Sequence, residues 1–197
     1  MKYSKHVLIL VVLIVGALFA FNTTRNDTSE TPTNSYAVTL EASADKQTYQ
    51  SGETVQLAVD ITNTGEVSTC MSDTAQGNIA FSSITRDGQS VDSRTVHMGT
   101  LESLSEFVRV DLTEIEPDVK MTILLTSSYD PGIEAQSLHT SEVDGIYADA
   151  TFYNIQEPGS YEIQMAYEYP GDVAIPGDCS AIFEGQTNSA TVNFIVE

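Results

Sequence analysis

Strict alternation of apolar and polar side chains constrains this chain more than any other feature. In "ETVQLAVDITNTG" (53–65), Val55, Leu57, Val59 and Ile61 fall on one side, while Gln56, Ala58 and Asp60 fall on the other. The stretch "GSYEIQMAYEY" (159–169) puts Tyr161, Ile163, Met165, Tyr167 and Tyr169 on one face, and "NSATVNFIVE" (188–197) does the same with Ala190, Val192, Phe194 and Val196. A period of two is the pleat of a half-buried strand, since successive Cβ atoms point to opposite faces. "YAVTLEASA" (36–44), "DVKMTILLTSS" (118–128) and "GIYADATFYNI" (145–155) read as further strands, and "NIAFSSITRDGQSVDSRTVHM" reads as a hairpin turning at Asp87-Gly88. The segment 99–117 fits a short helix or a strand equally well. Many short strands, turn signals between them and no long amphipathic helix predict an all-β antiparallel sandwich over 36–197.

The first residues follow a different rule. Lys2 and Lys5 precede an apolar run from Val7 to Phe21, and polar residues follow at once. A basic start and a short apolar stretch make the layout of a secretory signal. As a helix the run spans roughly 22 Å, short of a hydrocarbon core of about 30 Å. Residues 1–21 are therefore expected to direct export, with cleavage and retention as an N-terminal anchor both open. Residues 22–35, rich in Thr, Ser and Asn, read as a solvated linker. The domain is expected outside the cytoplasm, touching a membrane only through an uncleaved leader.

With 28 acidic against 8 basic residues the formal charge is −20. Binding to nucleic acid depends on Lys and Arg neutralising phosphates, so a nucleic-acid partner is disfavoured, as is attraction to anionic lipid. The charge fits solubility in salt, or attraction of cations and basic partners.

Three stretches resemble bacterial immunoglobulin-like β-sandwich domains of the macroglobulin-like or adhesion type. In "DKQTYQSGETVQLAVDITNTG" (45–65) an edge strand ends in Tyr, a Gly-containing turn follows, and a long strand runs into Asn-Thr-Gly. "EPGSYEIQMAYEY" (157–169) is similar to a tyrosine corner, which implies that the Tyr161 hydroxyl bonds backbone a few residues upstream. "GQTNSATVNFIVE" (185–197) looks like a final strand. The chain departs from antibody domains in having no Trp, and in placing Ile163 where they carry a cysteine.

By that resemblance Cys70 lies in the B–C loop and Cys179 in the F–G loop, at one end of the sandwich. Pro170-Gly171 and Pro176-Gly177 suit type II turns that would fold the second loop back towards the first. In an exported chain the two cysteines are expected to form a disulfide, with two unpaired thiols as the alternative. Closing a loop of about 109 residues would contribute roughly 4–5 kcal/mol in the chain-entropy model.

Catalytic patterns are scarce. "SLHTSEVDG" (137–145) gathers Ser137, His139, Ser141, Glu142 and Asp144, but neighbours in sequence seldom converge, and His139 reads as a loop histidine. There is no G-x-S-x-G elbow, H-E-x-x-H helix or phosphate loop. Calcium needs only loop oxygens, so Glu142, Asp144, Asp149, Asp73, Asp172 and Asp178 are its acidic candidates, although none forms a D-x-[DN]-x-[DN]-G loop. Neither metal nor cofactor is expected. Tyr161, Tyr167 and Tyr169 read as packing residues rather than a carbohydrate platform. The leading expectation is an exported, non-enzymatic immunoglobulin-like module that binds a protein or cell-envelope partner, or is a structural part of the envelope. A second is a protease-inhibitor-like sandwich, since "ITNTGEVSTCMSDTAQGNIAFSSITRDGQSV" is similar to bacterial proteinase-inhibitor modules.

Overall fold

The computed structural model of the protein describes residues 37–73, 78–100, 112–144, 147–168, 182–183 and 187–197, so the leader and linker lie outside the described residues. Every regular element among these is a strand. In chain order they are β1 (Val38–Ala44), β2 (Thr48–Tyr49), β3 (Gln56–Asn63), β4 (Thr69–Ser72), β5 (Ile79–Arg86), β6 (Gln89–Ser90) and β7 (Ser93–Thr100). Then follow β8 (Leu112–Ile115), β9 (Lys120–Thr126), β10 (Ser128–Asp130), β11 (Ala135–Asp144), β12 (Tyr147–Asn154), β13 (Gly159–Tyr167) and β14 (Ala190–Val196). They form sheets of three strands (β1-β3-β9), five (β2-β14-β13-β5-β6), four (β10-β11-β12-β7) and two (β4-β8). The fold is all-β and consistent with a sandwich.

The alternation read from sequence sets the core. Leu57, Val59 and Ile61 of β3, with Ile123 and Leu125 of β9, line the inner face of the three-stranded sheet. Tyr161, Ile163, Met165 and Tyr167 of β13, with Val192, Phe194 and Val196 of β14, line that of the five-stranded sheet. These side chains belong to one continuous cluster. Burying each large apolar side chain contributes about 1.5–3 kcal/mol, so this cluster is the main source of stability. Edge-to-face packing of Tyr49 on Phe194 (5.4 Å) and stacking of Tyr161 on Phe194 (5.2 Å) fill its centre.

Two features tie the sheets together. After β1 the chain changes sheets, and β2 pairs in parallel with β14 through Thr48 and Tyr49. Asn188, just before β14, accepts from the Leu40 N–H (2.9 Å) and donates to the Leu40 carbonyl (3.1 Å), so one side-chain amide stands in for a strand at the edge of β1. At Ser127 the chain leaves the three-stranded sheet for the four-stranded one. Its N–H donates to the Val55 carbonyl, and its hydroxyl accepts from the Val55 N–H, both at 2.8 Å.

The hairpin at Asp87-Gly88 forms, but only in part. Both residues have positive φ (51° and 77°), the left-handed pair that a two-residue type I′ turn demands. Pairing stops after Thr85↔Ser90 and Arg86↔Gln89. The chain then departs through Val91 and Asp92, whose carbonyl accepts from the Asn154 N–H (2.9 Å), and β7 pairs with β12 instead. Within 99–117 the described regular elements are the end of β7 and β8, both extended.

Candidate functional site

The end of the molecule that carries Cys70 is organised by Asn63, the Asn of the Asn-Thr-Gly turn. Its buried amide donates to the carbonyls of Val67 (2.8 Å) and Ile115 (2.9 Å), and its Oδ1 accepts from the Gly65 N–H (2.9 Å). The turn is thus folded onto β8, and β4 follows directly. All four residues of β4, Thr69–Ser72, are buried, with β8 paired on one side. On the other side Cys70 makes an isolated parallel bridge to Ile182, and its carbonyl accepts from the Phe183 N–H at 3.0 Å. Tyr167 accepts a hydrogen bond from the Ser72 N–H at 3.0 Å and packs on Phe183 (6.1 Å between ring centroids).

Cys70 is therefore not a loop residue as expected but the second residue of a buried strand, with no exposed surface. The loop proper is 64–68. Four apolar or small side chains in a row, "TCMS", bury both faces and so leave no alternation for a sequence reading to find. No cysteine among the described residues is free. Cys179 and the two Pro-Gly turns lie outside the described residues.

Tyr161, fully buried, reaches past the end of β13 and donates its hydroxyl to the Glu157 carbonyl at 2.7 Å. Burial pushes the phenol pKa above its ordinary value. Around it, the Ser160 N–H donates to the Asp87 carboxylate (3.0 Å), the Asp87 N–H donates to the Ser160 carbonyl (2.8 Å), and Arg86 pairs with Glu157. The turn before β13 and the β5–β6 turn thereby hold each other. Tyr161 and Tyr167 have no exposed surface with which to stack a ligand, and Tyr169 lies outside the described residues.

A second polar cluster sits on the four-stranded sheet. Arg94 of β7, Phe152 of β12 and His139 of β11 occupy one cross-strand row. The guanidinium lies 5.3 Å from the Phe152 ring, and the imidazole stacks on that ring at 5.3 Å with 25° between planes. Arg94 Nη2 spans to the opposite edge of the sheet and donates to both carboxylate oxygens of Asp130 (2.8 and 2.9 Å), whose side chain is 4 % exposed. The Gly132 N–H donates to the same carboxylate (2.8 Å). A Cβ at Gly132 would overlap the Arg94 guanidinium, so a larger residue there would have to push that guanidinium aside. Arg94 first, and the Gly132 N–H second, hold the Asp130 carboxyl below its usual pKa.

His139 is thus a mid-strand residue, not a loop histidine. Polar β11 was illegible because its buried polar side chains are satisfied locally: Ser137 donates to the Ser128 carbonyl (3.2 Å) and Thr140 to the Ile79 carbonyl. His139 Nδ1 is buried and makes no hydrogen bond. Ser137 is turned towards Ser128, so no serine–histidine couple forms between these two.

Among the calcium candidates, Glu142 and Asp149 are register partners across β11 and β12, while Asp73 follows β4 in another sheet. Asp149 pairs with His97 Nδ1 (2.8 Å) on an exposed part of the β7–β12 ladder, and Asp73 accepts from the Thr113 hydroxyl (3.3 Å). Glu142 and Asp144 are on β11, and Asp172 and Asp178 lie outside the described residues. No group of three potential metal ligands is found among the described residues. Cations are as informative as carboxylates. Every described Lys and Arg is in an ion pair: Lys46 with Glu53, Arg86 with Glu157, Arg94 with Asp130, and Lys120 with Asp60. The remaining described carboxylates have no Lys or Arg partner, and the domain presents a negative exterior. No family model, curated protein or solved structure is significantly similar to the chain.

Proposed function

We propose that the chain is exported and acts as a non-enzymatic immunoglobulin-like module, binding a partner or serving as a structural component at the cell envelope. The single observation that carries the reading is the setting of Cys70. It is fully buried on β4 and held against Ile182–Phe183, three residues beyond Cys179. That setting supports a Cys70–Cys179 disulfide, which belongs to an oxidising compartment. The basic and apolar leader is of one piece with it. The Tyr161 bond to Glu157 supports the immunoglobulin-like character, as do two inner sheet faces sharing one core. Partner contact is assigned to the loops at the Cys70 end, since loops on a rigid sandwich are free to carry recognition.

The test is fractionation of cells producing the full chain with a C-terminal tag, combined with external protease on intact cells or spheroplasts. The tag is expected in the exported fraction or on the outer face of the cytoplasmic membrane. A tag confined to the cytoplasm and protected from protease would overturn the reading.

A further inference from the structure

An open sheet edge is a row of unpaired N–H and C=O groups that invites another strand, and proteins blunt such edges with short strands, bulges, charges or covers. Nearly every edge among the described residues here is blunted. β2, β6 and β10 are two or three residues long, and β8 is four residues long with Glu114 exposed. At the edge of β1 the Asn188 amide caps both backbone groups of Leu40, and β4 is bridged to Ile182. β7 is bulged at Met98, because Asp149 pairs with His97 while Ala148 pairs with Gly99.

β9 has no such device. It is seven residues long, without Pro, Gly or bulge, and no described strand lies beyond it. The Asn63 N–H donates to the Val119 carbonyl and the Ser127 N–H to the Val55 carbonyl, so the residues in phase with 119 and 127 face β3. Antiparallel alternation then turns the backbone groups of Lys120, Thr122, Leu124 and Thr126 to the free edge. Leu124 is 59 % exposed on that strand. The one charge on β9, Lys120, is occupied by Asp60 (2.7 Å), which also accepts from Thr122 (2.6 Å).

We infer that β9 is a strand-addition site, and that its occupant is an extended, cationic segment of a partner protein. The inference goes beyond the binding reading above, which assigns contact to the loops at the Cys70 end, by adding a sheet edge and the chemistry of its occupant. Charge selects the occupant. A second copy brings a like charge of −20, and no described Lys or Arg is free to offset it. A strand that alternates apolar and basic side chains satisfies both faces. Its apolar residues extend the core beyond Ile123 and Leu125, and its basic ones lie on the outer face of a chain whose formal charge is −20. Main-chain hydrogen bonds supply affinity in this mode, and alternate side chains supply specificity.

The experiment is residue-resolved amide exchange on the full chain with two capped decapeptides, one alternating Lys and Val, the other carrying five Lys followed by five Val. The alternating peptide is expected to slow exchange at Thr122 and Leu124 by at least about tenfold. Thr122→Pro, which removes an edge-facing N–H without touching the β3 ladder, abolishes that protection, and Leu124→Lys weakens it. Equal protection by both peptides reduces the effect to charge attraction and overturns the inference. So do amides already protected in the chain alone, or salt-resistant self-association that Thr122→Pro abolishes. Export is read without β9, so an exported chain lacking this protection sinks strand addition alone. A cytoplasmic chain showing it sinks only the envelope reading.

Discussion

Asp130 ties two distant strands through one carboxylate, and Tyr161 pins the turn before its own strand through one hydroxyl. Asp130 is held by Arg94 and the Gly132 N–H, and its folded pKa is depressed. A depressed carboxylate pKa contributes stability above the unfolded value of about 3.9, lost as pH falls through the folded value. The stability gap between the parent and Asp130→Asn is therefore expected to be full near neutrality and to close below about pH 4 in urea titrations at several pH values. A gap that persists unchanged at lower pH would exclude the ion pair as its source. Tyr161→Phe keeps the ring on Phe194 and deletes only the donation to Glu157. A loss of about 1 kcal/mol, with an unchanged denaturant slope, is expected from urea unfolding.

At the scale of elements, sheet edges and crossings matter more than strand interiors. Asn188→Ala removes both bonds to Leu40 at the edge of β1. The expected cost is about 1–3 kcal/mol, with faster exchange at the Leu40 amide, while strands such as β13 keep their protection until global unfolding. What the sequence made legible follows the same division. β1, β3, β13 and β14 have one buried and one solvated face, so alternation located them. The turn at Asp87-Gly88 was readable from its dipeptide, yet nothing local says that β7 pairs with β12 rather than continuing beside β5. β4 buries both faces and β11 buries hydroxyls bonded to carbonyls, so each lacked the signature by which a strand is recognised.

For the whole molecule, charge governs behaviour. The described cations are consumed in ion pairs, so the exterior repels its own kind and attracts bases, while a large apolar cluster resists that self-repulsion. Of the candidate site, the Cys70 end was legible only in outline. The resemblance gave only the expectation that Cys70 pairs with Cys179, which lies outside the described residues, whereas the embedding of Cys70 in a strand depends on Asn63 and Tyr167, contacts made across the fold. The most direct test is the intact mass of the domain recovered from the exported fraction, followed by alkylation in denaturant without reductant. A mass two hydrogens short of the reduced chain, with no label taken up, is the result expected from a Cys70–Cys179 bond. Full labelling of both thiols would contradict it.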